Sequence, residues 1–163
     1  MLRRRDPLHD PAPLIPRVYA YVAYRIGAGA DADEATGEVF ARAVRYRATY
    51  DPARGEPISW LLGIARRVLA ERGQEPSTAP LDESWDATEG GFADRVVERL
   101  DLWAAVASLS ERDRELIALR YGADLSAPQI AGLVDSETHP VEVALSRAVG
   151  RLRATLAAEQ TEV

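Results

Sequence analysis

Large apolar residues in this chain recur every three or four positions, and no segment alternates them with polar ones. That spacing lines one side of a helix, whereas a half-buried strand needs a period of two. The chain is therefore expected to be all-α. Three stripes fill the first half. Leu14, Val18 and Val22, with Ile15 and Ile26 beside them, stop at Gly27, which suits a helix C-cap. Ala32, Ala35, Val39, Ala43 and Tyr46 follow Asp31, a candidate N-cap. Trp60, Leu61, Ile64 and Val68 begin after Ser59 and end near Gly73, and the turn-rich run Tyr50–Pro57 separates them from the second stripe.

The second half repeats the pattern. Phe92, Val96, Leu100, Trp103 and Ala107 form one stripe. Ser110, with Asp113 three residues on, opens the next, which carries Leu116, Ile117 and Leu119 and ends at Gly122. Ser126 with Gln129 is a full capping-box pattern before Ile130 and Leu133. Pro140 suits the first turn of a last helix carrying Val141, Leu145, Ala148, Leu152 and Leu156. Between the halves, residues 73–91 are rich in Pro, Gly, Ser, Thr and acids without any apolar period, the composition of a linker.

The 163 residues suffice for two helical modules of about 70 residues each. Net charge is −6, and its placement matters more than its sum. Residues 1–75 hold 12 Arg against 10 acids, residues 76–95 one against five, and residues 96–163 seven against 11. The first half is thus the mildly basic one, and an overall acidic chain argues against plain nucleic-acid binding. Without Cys, neither a disulfide nor a thiolate zinc site can form, and a reducing cytoplasm is the natural compartment. His9 and His139 stand far apart, so no metal site is expected. No apolar run reaches the roughly 18 residues of a membrane helix. With no Gly-rich phosphate loop and no nucleophile–base arrangement, neither enzymatic activity nor a cofactor is expected.

The last two segments, a short capped helix (126–134), a tight turn (135–139) and a longer helix (140–157), have the proportions of a helix-turn-helix. In that arrangement the second helix lies in the DNA major groove while the first braces it. Spacing alone leaves an ordinary helical hairpin as an equal reading.

The residues Ser108-Leu109-Ser110-Glu111-Arg112-Asp113-Arg114-Glu115-Leu116-Ile117-Ala118-Leu119-Arg120-Tyr121, followed by Leu125 to Ala131, closely resemble domain 4 of extracytoplasmic-function (ECF) sigma factors. Asp31 to Ala43 resembles region 2.2 of the same family, and Tyr50–Gly55 with Trp60–Arg66 resembles the loop and helix that follow it. The resemblance implies a region 2-like bundle of three to four helices (8–74), a flexible acidic linker (75–91) and a region 4-like helix-turn-helix domain (92–160). It implies binding to core RNA polymerase and promoter DNA, and a dedicated anti-sigma factor that occludes the docking surfaces.

Site residues follow from the resemblance by position. Asp31, Asp33, Glu34, Glu38, Val39, Phe40 and Arg42 would dock on the clamp coiled coil of the polymerase, an acidic patch beside an apolar one. Tyr50, Arg54, Trp60, Arg66 and Arg67 would capture the proximal (−10) element. Opening a duplex there costs stacking energy that a base pocket and backbone contacts must replace. Gln129, Thr138, His139, Glu142, Val143, Ser146, Arg147 and Arg151 would face the distal (−35) element. Bland readings stand beside these: a solvated charged face for 31–43, a core anchor for Trp60, and solvated arginines at 66 and 67.

Two departures matter. Glu142-Val143-Ala144 stands where the family carries a basic cluster, and acids repel phosphates. Gly37 stands where the family usually has Gln. The first departure predicts weak or unusual reading of the distal element, and the second predicts a reduced affinity for polymerase. A sigma-derived interaction protein, binding polymerase or an anti-sigma factor without reading the −35 element, is the alternative. A stand-alone helix-turn-helix regulator is a third reading, disfavoured by the acidic second half.

Overall fold

The computed structural model describes residues 6–73 and 102–161. Every element of regular structure among them is helical, and none is a strand. In the first half α1 (Leu14–Ile26), α2 (Ala30–Arg45) and α3 (Pro57–Glu71) pack against one another, with a short 3₁₀ turn, Arg47–Thr49, after α2. In the second half come α4, described over 102–108, α5 (Glu111–Ile117), a π-turn (Ala118–Gly122), α6 (Ala127–Leu133) and α7 (Thr138–Thr161). The linker 75–91 and the stripe positions Phe92, Val96 and Leu100 lie outside the described residues.

Gly27 ends α1 with φ 90°, a conformation that L-residues avoid, and its amide donates to the Ala23 carbonyl at 2.8 Å. The start of α2 differs from expectation. Gly29, not Asp31, occupies the N-cap, which leaves Asp31 and Asp33 inside the first turn, where carboxylates oppose the helix dipole. Helix α3 starts at Pro57 rather than after Ser59, because Pro fits a first turn whose amides lack partners anyway. Likewise α7 starts at Thr138, so Thr138 and His139 belong to the helix and not to the turn. Asp135, at φ 54°, makes the reversal before it.

The two serine caps form as the sequence indicates. Ser110 accepts from the Asp113 amide at 3.2 Å. At α6 the box closes both ways: Ser126 Oγ accepts from the Gln129 amide, and Gln129 Oε1 accepts from the Ser126 amide at 2.9 Å. Ser126→Ala is expected to cost about 1 kcal/mol, measurable as a lowered midpoint in thermal unfolding followed by circular dichroism.

One apolar core runs through both halves. Val18, Val22, Leu61, Leu62 and Leu69 from the first are continuous with Leu119, Leu125 and Ile130 from the second. The junction centres on α1, which packs against α2 and α3 on one side and against α5 and the π-turn on the other. Gly122 rests directly on α1. A Cβ there would come within 3.0 Å of the Ala20 carbonyl and the Tyr21 nitrogen, so only glycine permits this approach. Arg17 of α1 then ties down the next turn, with Nε donating to the Ala123 carbonyl at 2.7 Å and Nη2 to that of Asp124 at 3.1 Å. Tyr24 of α1 packs on Trp103 of α4, ring centroids 4.9 Å apart.

Candidate nucleic-acid interface

The loop between α2 and α3 opens into a cavity of about 1170 Å³. Its first-half walls carry Arg42, Arg45, Arg54 and Arg67 with Tyr46, Tyr50 and Trp60, cations and aromatic faces suited to phosphates and unstacked bases, beside the carboxylates of Asp51, Glu56 and Glu71. Within it the sequence candidates take different roles. Tyr50 is buried. Its hydroxyl donates to the Gly55 carbonyl at 3.0 Å and its ring meets Trp60 edge-on at 5.7 Å, so the pair braces the loop. Trp60 is half-buried, packed on the core with one face left to the cavity. Arg54 and Arg67 are exposed on its rim.

Arg66 turns away from this group. Its Nε lies 2.9 Å from Glu115 Oε1, and its Nη1 donates to the Leu133 carbonyl, both in the second half. Sequence reading offered DNA contact or solvation for this residue, and neither describes its present partners. Arg45 and Tyr46 belong to the site by position although the sequence reading did not select them. Tyr46 continued an apolar stripe and was expected in the core, but it is half exposed because α2 ends one residue before it. A cation in the last helical turn followed by an aromatic at the helix end was the available signal.

The acidic face of α2 is exposed at Asp31, Asp33 and Glu34. Glu38 bridges Arg42 at 2.7 Å and Arg72 at 2.9 Å, and Arg42 also reaches Glu71. Hydrogen bonds from Arg72 and then Arg42 hold the Glu38 carboxyl below its ordinary range. A depressed carboxylate adds stability above its unfolded pKa and loses it as pH falls through the folded one. The stability difference between the parent chain and Glu38→Gln should therefore shrink towards zero in acid, as read by urea titrations at descending pH. Val39 requires correction: it is fully buried in the core, so it supports this face and cannot contact a partner. Phe40, half-buried, remains at the surface.

On α7, His139, Glu142 and Ser146 are exposed at helical spacing along one side, with Thr138 and Val143 half-buried beside them. Arg147 is exposed, whereas Arg151 reaches back to Asp113 at 2.6 Å. Gln129 is occupied by its capping box, and its Nε2 lies 3.4 Å from Glu56 Oε2 on the loop before α3.

A buried polar cluster joins the halves where the sequence showed only charged letters. Tyr21 donates its hydroxyl to both oxygens of Glu115, at 3.0 and 2.8 Å. Arg25, one turn further along α1, pairs with the same carboxylate and lies 3.6 Å from Glu111. Burial pushes the Tyr21 phenol up to about 12, so it stays a donor. Beside it Arg114 is buried and donates to the carbonyls of Ala107 and Leu109 at 3.0 and 3.1 Å.

Among the described residues no group of His, Asp or Glu is placed to hold a metal ion, and no helix is long and apolar enough to cross a membrane.

Comparison with known proteins places these features. Residues 13–72 match the sigma-70 region 2 family. Across 154 residues the chain is 31% identical to the ECF RNA polymerase sigma factor SigD of Mycobacterium bovis, covering 85% of this chain and 71% of that protein. It is 29% identical over 144 residues to the ECF RNA polymerase sigma factor BldN of Streptomyces coelicolor, covering 83% of this chain but only 54% of BldN. Among solved structures, the sigma factor RpoE in its complex with the anti-sigma factor NepR, from Bartonella quintana, superposes with a TM-score of 0.72 at 17% identity, covering 92% of this chain and 96% of that one. That last likeness is one of fold.

Proposed function

The chain belongs to the ECF RNA polymerase sigma factors, and we propose that it acts as one: a non-enzymatic cytoplasmic subunit that binds core RNA polymerase and directs promoter recognition and opening. The observation that carries this reading is the cavity between α2, its loop and α3. Cations and aromatic rings converge there, inside the segment that matches region 2. Arg45, Arg54 and Arg67 neutralise the backbone of the −10 strand, and Trp60 with Tyr46 offers ring faces to unstacked bases. Asp31, Asp33, Glu34 and Phe40 form the polymerase-docking face, supported from beneath by Val39 and held in place by the Glu38–Arg42 pair. His139, Glu142, Ser146 and Arg147 form the −35 face of α7. The two functional units are residues 8–74 and 92–160, joined by 75–91. An anti-sigma factor is the expected regulator, the role that NepR's name gives it beside RpoE.

Transcription in vitro tests the reading. Purified chain, core RNA polymerase and genomic fragments should yield discrete RNA 5′ ends that share an upstream motif. Polymerase binding without specific starts would favour the sigma-derived interaction protein instead. The acid on α7 gives a second test. Glu142→Lys should tighten binding of the polymerase holoenzyme to −35-containing fragments and steepen its salt dependence by about one phosphate contact. Unchanged affinity would remove α7 from the groove.

A further inference from the structure

The cavity beside the α2–α3 loop has a second-half wall with no part in the −10 assignment. We propose that the space between α3 and α6 is a site for a free nucleotide carrying two or more phosphates. Pro128, Gln129, Gly132 and Leu133 of α6 close the cavity on that side. Its volume of about 1170 Å³ exceeds the roughly 300–1,000 Å³ of ordinary small-molecule sites, so a whole nucleotide fits with its water. Two glycines line it, Gly63 within α3 and Gly132 within α6. A Cβ at either would meet no protein atom within 4 Å, so packing does not require glycine there. Each weakens its helix relative to alanine, and what each gives in return is bare backbone that a ligand can approach closely.

The side chains match the parts of a nucleotide. Arg42 is committed to Glu38 and Glu71. Arg45, Arg54 and Arg67 are exposed at the cavity and form no ion pair among the described residues. Three uncommitted guanidinium groups suit a chain of phosphates. Trp60, met edge-on by the Tyr50 ring at 5.7 Å, presents a stacking face for a base. The remaining carboxylates distinguish a nucleotide from a bare anion. Glu56 lies exposed at the wall, and Asp51 keeps one oxygen open after accepting from the Ala53 amide at 3.0 Å. Both repel a plain polyanion, but both accept from sugar hydroxyls and base amino groups, donors that a nucleotide carries beside its phosphates. A strand brings the same chemistry but continues at both ends, whereas a free nucleotide ends within the walls.

Isothermal titration of the full chain with ADP, GDP, CDP and UDP, without polymerase or DNA, tests the site. At least one should bind with single-site stoichiometry and raise the midpoint of thermal unfolding. Arg54→Gln and Arg67→Gln should each weaken it about tenfold, the loss of one charge-assisted hydrogen bond. Gly132→Leu fills the space from the α6 wall and should abolish binding while circular dichroism keeps the helix content of the parent. Should that variant fail to fold, Gly63→Leu fills the same space from α3. No heat and no midpoint shift with any of the four diphosphates overturns the site. Pyrophosphate binding as tightly as the best diphosphate overturns the nucleotide, and undiminished binding in the folded glycine variant overturns the placement between α3 and α6. A single-stranded 12-mer that binds where no diphosphate does assigns the cavity to a strand and overturns the proposal as well. The sigma-factor reading fails separately, through the absence of polymerase-dependent start sites.

Discussion

Tyr21→Ala is expected to lower the unfolding free energy by about 3–5 kcal/mol, and Tyr21→Phe by about 1–3 kcal/mol. Urea titrations followed by far-ultraviolet circular dichroism would measure both. The ring is fully buried in the continuous core, so truncation leaves a cavity that both halves line. The hydroxyl contributes separately. It donates to both oxygens of Glu115, and a carboxylate that has lost a donor in a buried site carries the desolvation cost of the missing bond. The difference between the two variants isolates the packing of the ring from the satisfaction of the carboxylate. A Phe variant as stable as its parent would mean that Glu115 is satisfied by its two arginines alone.

Gly122→Val is the second large effect. Any Cβ at this position meets the α1 backbone at 3.0 Å, and α1 is held from its other side by α2 and α3, so it cannot retreat. Overpacking of this kind costs about 1–3 kcal/mol. It falls on the junction and not on the α2–α3 pair. Hydrogen exchange read by mass spectrometry should show amides of α1 and of the π-turn losing protection, while those of α2 and α3 that face each other keep theirs. Equal loss across all helices would indicate that the first half cannot stand without the second.

What could be read from sequence was what is local. The capping box at Ser126 and Gln129 needs only four consecutive residues, and the stop at Gly27 only one, so both stand in the structure as the letters suggest. Helix starts were less legible. Ser59 looked like a cap, yet Pro57 and an extended Glu56 begin α3 without any side-chain cap, a choice made by packing. The Glu115 cluster left no trace because its members lie up to 94 positions apart and polar residues carry no apolar period. Glu115 and Arg114 entered the sequence reading only as members of the Ser108–Tyr121 motif, with no role of their own, and both are buried. Val39 and Arg66 were placed on working surfaces by position in a motif. Position does not specify which way a side chain points once a second domain packs on the first. The π-turn was invisible for a different reason: a five-residue hydrogen-bond step has no composition of its own.

That π-turn fixes a phase relation. Relative to an uninterrupted α-helix, the stretch Ala118–Gly122 holds one residue more than its length requires, and each residue of an α-helix turns the chain by about 100°. Deleting a single residue from it would leave a regular helix in continuation of α5 and rotate everything downstream by that angle. Glu115 would keep its place on α1, while Gly122 and the Arg17-bound turn would swing off it. The helix-turn-helix would then be carried on the same stem but face another direction. The aim of α6 and α7 is thus an indexed quantity, stepped by residue count and not continuously adjustable by substitution.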